Sequence, residues 1–311
     1  MKKIVLIYFI FCGSLAIAQA PIVRVEPPFW WVGMKHHELQ LLVQGNDIAN
    51  AAVTINYPGV TISKTTKGDN RNFLFIDLSI SDDANPGTMA IDFLPSGKKK
   101  KITYSYALKE RDSNTHQGPT TRDVIYLITP DRFANANPSN DNSSIMLEKK
   151  NRTFHGGRHG GDIEGMIARI DYMNDLGVTS VWATPLLENN MPEFSYHGYA
   201  ITDYYRIDPR FGSNDLYRKF ADDLHQKNMK IVMDMVFNHC GLRHWWMKDM
   251  PFTDWIHYFP QTIETNHAMA SLSDPHAAQS DREQMEKGWF VPTMPDLNHD
   301  NPFLATYLIQ N

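Results

Sequence analysis

The chain has 311 residues, 42% of them hydrophobic and 12% aromatic, which is material for a sizeable core and a length suggesting about two domains. Its formal charge of -5, with no basic tract, argues against nucleic acid or an anionic membrane surface as partner. Only Cys12 and Cys240 are present, and Cys12 falls in a segment read below as removable, so no intrachain disulfide is expected.

The N-terminus carries Lys2 and Lys3, an apolar run over residues 4–17, and small residues at Ala16, Ala18 and Ala20. That order predicts a secretory signal over residues 1–18, and hence a secreted, periplasmic protein. The run is shorter than the roughly 20 apolar residues of a spanning helix, so no membrane insertion is expected. Cleavage after Ala18 is favoured because Pro21 follows Ala20. Loss of the two lysines takes the formal charge from -5 to -7.

Residues 19–113 read as an all-β domain. Leu39, Leu41 and Val43 alternate with polar neighbours, as do Val53 and Ile55, Phe73 and Phe75, and Ile102, Tyr104 and Tyr106. Turn signals at Gln44-Gly45-Asn46, Pro58-Gly59 and Asn85-Pro86-Gly87 separate the runs. Short alternating strands at this spacing predict a β-sandwich. Residues 111–121 form a polar linker.

Residues 114–311 change character. Residues 124–128 are a continuous apolar run, as in a strand buried on both faces. A helix is predicted over 163–176, with Ile163, Ile167, Ile170 and Met173 on one stripe and Gly177 as its stop. A strand over 178–183 follows, then a helix over 213–226 ended by Asn228, and a strand over 231–237. Strand and helix in alternation predict a parallel α/β unit. Pattern alone leaves a doubly wound sheet or a barrel, and the lack of G-x-G-x-x-G after the first strand weakens the nucleotide-binding version. A last helix is predicted over 302–310.

Asp234, Asn238 and His239 stand at the C-terminal end of the third strand, which in a barrel faces the active site. A carboxylate, an amide and an imidazole there can reach the polar face of a sugar. A capping Asp and a solvated His fit the pattern equally well.

Other segments separate these readings. The Asp234-Met-Val-Phe-Asn238-His239 block resembles the first conserved region of the alpha-amylase family of glycoside hydrolases. Tyr196-His197-Gly198-Tyr199 with Thr202-Asp203-Tyr204, and then Ile207-Asp208-Pro209-Arg210-Phe211-Gly212, resemble the stretch after its second barrel strand. Met294-Pro295-Asp296-Leu297-Asn298 resembles the late part of its inserted domain B. Residues 26–34 (EPPFWWVGM) resemble the start of the N-terminal domain of cyclomaltodextrinases. The ordered set is similar to the cyclomaltodextrinase and neopullulanase members.

The resemblance implies an immunoglobulin-like sandwich, then a partial (β/α)8 TIM barrel: its first three strands plus a domain B at about residues 240–298. Tyr199 would stack on a glucose ring and His239 would hydrogen-bond its hydroxymethyl group. His197 would be a cleft residue, with Asp234 and Asn238 as supports. Retaining glycosidases need two carboxyl groups about 5–5.5 Å apart, and in this family they come from later strands. The nucleophile's G-x-R-x-D signature occurs nowhere in the chain. The nucleophile and the acid/base are therefore expected to lie beyond Asn311, and these 311 residues are expected to be truncated and inactive alone.

The implied activity of the full-length protein is hydrolysis of α-1,4-glucans: maltooligosaccharides, cyclomaltodextrins or pullulan. Transglycosylation, and a non-catalytic glucan-binding protein, stay open as alternatives. Relatives with this N-terminal domain often pair, implying a homodimer through it. They also carry a structural calcium, with Asn135, Asn137, Asn140, Asp141, Gly160 and Asp162 as the matching set; Asp usually stands where Asn137 does. Calcium takes 6–8 hard oxygen ligands. His155, His159 and His197 lack the spacing of a zinc site. Trp245, Trp246, Trp255 and Trp289 are expected mostly to pack the insert.

Overall fold

The computed structural model describes residues 22–111 and 118–311. The predicted signal segment and residues 112–117 of the predicted linker lie outside the described residues.

Eight strands come first: β1 (Ile22–Glu26), β2 (Phe29–Trp31), β3 (Glu38–Gly45), β4 (Ala52–Ile55), β5 (Val60–Lys67), β6 (Phe73–Ile80), β7 (Gly87–Leu94) and β8 (Ile102–Lys109). They form two four-stranded sheets, ordered β1-β3-β6-β5 and β2-β8-β7-β4. Leu39, Leu41 and Val43 of β3 and Leu74, Ile76 and Leu78 of β6 meet Met89, Ile91, Phe93, Tyr106 and Leu108 of the other sheet. Alternation puts one side of each strand into this core, as the sequence predicts.

The other face of the first sheet is also covered. Leu42, Phe73 and Phe75 belong to a second core shared with the rest of the chain. The Phe75 ring centroid lies 4.7 Å from Phe303, 5.4 Å from Phe252 and 6.2 Å from Trp255. The expected alternation of Phe73 and Phe75 with polar neighbours fails here: between and after them stand Leu74 and Ile76, and both sets are buried, one in each core. Polar contacts reinforce the seam. Asp249 accepts from the amides of Gln44, Asn70 and Asn72. Arg24 pairs with both Glu26 and Asp203, at 2.7 and 2.9 Å, and the Tyr307 hydroxyl donates to Glu26 (2.7 Å).

The second part holds β9 (Ile125–Ile128), β10 (Ser180–Ala183) and β13 (Lys230–Met233), a parallel sheet with β10 in the middle. A small antiparallel pair, β11 (Leu187–Glu188) and β12 (Asp203–Ile207), sits in the loop after β10. The third strand stops at Met233 rather than 237, because the chain after Asp234 turns into loop. Residues 163–176 form two helices, not one: α2 (Ile163–Ile167) and α3 (Ile170–Asp175), following the short α1 (Pro130–Phe133). Around Ala168 and Arg169 the turn tightens, the Arg169 amide reaching only to Met166. Gly177, at φ +84°, closes α3 with the Val178 amide on the Met173 carbonyl, an αL stop.

α4 (Asn214–Gln226) starts on a Ser213 cap, buries Phe220 and Leu224, and ends before Asn228 at φ 57°. After the insert and its exposed α5 (Gln279–Lys287), α6 (Pro302–Gln310) starts on an Asn301 cap, with Pro302 in its first turn. Asn311 caps the other end of α6, its backbone amide donating to the Tyr307 carbonyl (3.1 Å). The 124–128 run is not buried on both faces. Ile125 and Leu127 are 46% and 58% exposed, because among the described residues only one side of the three-stranded sheet is covered. The architecture is thus a sandwich followed by a partial (β/α)8 barrel. Trp246, Trp255 and Trp289 of the insert are fully buried, so they pack.

Candidate functional site

Asp234 follows the last residue of β13 and is the hub of the strand-end cluster. One of its oxygens accepts from the Tyr199 hydroxyl and the Trp182 indole N–H, both at 3.1 Å. Trp182 is on β10, with its side chain on the open side of the sheet. Tyr199 is held over the same strand ends by Gly198, at φ +86°, where any Cβ would lie 2.1 Å from the Pro185 carbonyl oxygen. The Tyr199 amide donates to His197 Nδ1 (2.9 Å), and the two rings stack at 5.7 Å. Tyr199 remains 36% exposed, so a ring face is free to a ligand.

His239 meets Tyr199 from the other side. Its Nε2 is 3.1 Å from the Tyr199 carbonyl, which can only accept, so Nε2 carries the hydrogen. Nδ1 then accepts from the Asn238 amide (3.2 Å). Burial pushes the His239 imidazole down to about 4, the Tyr199 carbonyl opposing only in part. It is therefore neutral near pH 7, with both nitrogens engaged, and a sugar hydroxyl at Nε2 must exchange with the Tyr199 carbonyl. Phe290 stacks on the imidazole at 5.2 Å. Beside it lies a cavity of about 380 Å³ lined by Asn238, His239, His267, Met269, Phe290 and Asp296.

Asp208, Arg210 and Tyr204, from the segments read as family motifs, build the frame. Arg210 is buried, bonding Asp208 (2.7 and 2.9 Å) and the carbonyls of Glu148 (2.9 Å) and Asn189 (2.7 Å). Burial alone would raise the Asp208 carboxyl, but the Arg210 guanidinium overrides it and holds it below its ordinary range. The buried Tyr204 hydroxyl lies 2.9 Å from the Val236 carbonyl and 3.2 Å from that of His239, pinning the loop that carries Asn238 and His239. Asp296, of the Met-Pro-Asp-Leu-Asn stretch, pairs with His257 at 2.7 Å, and its residue bridges to His239 through the backbone.

Asn311, the residue beyond which the catalytic pair is expected, takes no part in the cluster. Its side-chain amide donates to the Tyr204 carbonyl (3.0 Å), so it ties the end of α6 to the framing strand β12. Asp234 is the carboxylate that faces Tyr199, and among the described residues its hydrogen-bond partners are Tyr199 and Trp182 rather than a second carboxylate.

The six residues of the oxygen-rich loop also come together. Asp141 is buried, accepts from the Asn135 amide (2.7 Å) and pairs with Lys150. Gly160, at φ +93°, has no room for a Cβ against Asp141 and Asn135. Among the described residues the amide oxygens of Asn135 and Asn140 are buried without a donor, so a hard cation fits this donor set. Asp162 is already committed: it accepts the amides of Asn137 (2.9 Å) and Gly165 (2.6 Å) and caps α2. Among the described residues no group of three or more His, Cys, Asp or Glu could hold a metal, so a cation here depends on amide and carbonyl oxygens.

Sequence reasoning missed Trp182 and Phe290. Trp182 had a weak signal, since its period-two position beside Ile125 and Leu127 puts it on the ligand side if that side is open. Phe290 had none, because its neighbour His239 is 51 residues away.

Residues 127–310 match the alpha amylase catalytic domain, and residues 24–112 match the cyclomaltodextrinase N-terminal domain. Neopullulanase 2 of Thermoactinomyces vulgaris is 36% identical, over 60% of this chain and 30% of its own length. The cyclomaltodextrinase of Thermoanaerobacter pseudethanolicus is 28% identical, over 79% of this chain and 42% of its own. The crystal structure of an Anoxybacillus alpha-amylase is 32% identical with a TM-score of 0.49, covering 60% of this chain and 36% of that one. The chain thus spans between 30% and 42% of these two curated relatives. With its barrel strands, its Tyr199–Asp234–His239 cluster and more than half its length matched, the chain belongs to the alpha-amylase family.

Proposed function

We propose that this chain is the N-terminal part of a secreted, periplasmic glycosidase that hydrolyses α-1,4-glucans with retention. Maltooligosaccharides, cyclomaltodextrins or pullulan are its substrates. The observation that carries the reading is the cluster itself: an exposed Tyr199 ring fixed through Asp234, beside a neutral His239. Aromatic faces suit the C–H face of a pyranose, and neutral nitrogens suit its hydroxyls. Names of relatives such as neopullulanase and cyclomaltodextrinase support the substrate class.

Bond cleavage in this reading needs residues that follow Asn311. Double displacement requires a nucleophile and an acid/base about 5–5.5 Å apart, and Asp234 is occupied in holding Tyr199 and Trp182. The chain therefore supplies part of a sugar subsite. The loop of Asn135, Asn140 and Asp141 takes calcium as its divalent ion in this reading, and the full-length protein pairs through the sandwich.

The test is direct. The purified chain is expected to release no reducing sugar from maltoheptaose or β-cyclodextrin. The same chain extended by a family C-terminal half carrying G-x-R-x-D is expected to release it. Turnover by the chain alone would overturn the truncated reading, and inactivity of the extended protein would overturn the hydrolase reading.

A further inference from the structure

The buried Asp141 carboxylate has a cation beside it already. Lys150 places its ammonium on Asp141, the carboxylate side chain being 1% exposed and the lysine side chain 33%. A carboxylate this deep is costly without a counter-charge. Lys150 is not a loose surface lysine. Its amide donates to Asn142 (2.8 Å), its residue bridges to Arg158, and the next amide, of Asn151, donates to the Arg158 carbonyl (2.9 Å). This anchored turn carries the ammonium to a loop whose Asn135 and Asn140 oxygens have no donor.

Charge points the same way. Asp141 and Asp162 are the acidic members of the six-residue set. Asn137 is neutral where the resemblance implies an Asp, and its amide is spent on Glu164 (3.0 Å). With Lys150 inside, the set offers a divalent ion about one net negative charge, whereas calcium affinity follows the number of charged ligands. A cation reaching Asp141 must push the ammonium outward, and its partial exposure leaves it a path to water.

We propose that the Lys150 ammonium is the resident counter-ion of this loop, so that the loop stays closed without a divalent ion and calcium enters only by displacing it. The displacement half rests on the calcium reading above; the counter-ion half does not. The experiment uses the purified chain and its Lys150→Gln, Lys150→Met and Asn137→Asp variants. Calcium chloride is titrated by calorimetry, and melts are recorded in EGTA and in calcium. Gln keeps an amide donor on Asp141, so that variant folds even where Met does not.

Wild type is expected to melt at nearly the same temperature in both buffers. Lys150→Gln is expected to melt lower in EGTA, to recover in calcium, and to bind calcium about tenfold or more tightly than wild type. Asn137→Asp, which restores ligand charge, is expected to bind more tightly with Lys150 still present. Equal calcium affinity in wild type and Lys150→Gln overturns the displacement and leaves calcium standing. An unchanged EGTA melt in Lys150→Gln overturns the counter-ion. Absence of calcium binding in all four proteins overturns the calcium reading, and the EGTA melts then decide the lysine's role alone.

Discussion

Truncating Phe75 should loosen the second part of the chain while sparing the sandwich on which Phe75 resides. The side chain is fully buried, among Phe252, Trp255 and Phe303. Returning such a side chain to water costs about 1.5–3 kcal/mol, and each lost aromatic pair adds about 0.5–1.5 kcal/mol. With incomplete collapse of the cavity, Phe75→Ala should cost about 3–5 kcal/mol. Ile76→Ala, one residue on, should cost about 2–5 kcal/mol, but in the other core. Urea unfolding gives the totals, and hydrogen exchange by mass spectrometry locates them. Phe75→Ala is expected to speed exchange in α6 and around Trp255 and leave β7 and β8 protected, with Ile76→Ala doing the reverse. Indistinguishable exchange maps, or a Phe75→Ala loss below about 1 kcal/mol, would refute the two-core assignment of β6.

The Glu26 carboxyl should make stability pH-dependent. Burial raises it to about 7 from 4.5, although Arg24 opposes; Arg24 is shared with Asp203. Between those values the folded chain holds a proton that the unfolded chain has lost. Stability from this group should therefore fall as pH rises from 4.5 to 7, by up to roughly 3 kcal/mol. Glu26→Gln should flatten the melting temperature over that window, and an unchanged profile would count against the shift. Arg210→Met leaves Asp208 buried and unpaired and should cost about 3–5 kcal/mol in urea unfolding. A double change to Asp208→Leu with Arg210→Met should recover part of it, and failure to do so would point to the Glu148 and Asn189 contacts instead. Ile125→Lys with Leu127→Lys should reduce aggregation, measured by light scattering, and shift stability by only about 0.5 kcal/mol per site, since both side chains are largely exposed. A large stability loss would show that this sheet face is covered in solution.

Local signals in the sequence were reliable where the physics is local. Gly177 and Asn228, read as helix stops, fall where α3 and α4 end, through backbone conformations set by their own neighbours. The break between α2 and α3 left no mark, because the apolar stripe runs through Ala168 and Arg169 without a Gly or Pro. In the sandwich, alternation located the strands but could not say that Phe73 and Phe75 face a second core rather than water. The site was legible through motif resemblance only. Nothing in the spacing of Tyr199, Asp234 and His239 brings them together; the parallel sheet and the Tyr204 hydroxyl do. Lys150 on Asp141 was unreadable in advance, since a lysine nine residues away is ordinarily solvated.

β6 has a practical consequence for anyone dividing this chain. In a strand with one wet face, a one-residue slip carries its apolar set out to solvent and spoils a single interior. Here a one-residue slip would exchange Phe73 and Phe75 with Leu74 and Ile76 across the sheet, spoiling two interiors at once. Cutting the chain at the linker and expressing only the later part would lay bare Trp245, Phe252, Trp255 and Phe303, an aromatic surface made to be dry. The sandwich is better regarded as the missing wall of the second unit than as an appendage to it, and expression boundaries belong upstream of β1.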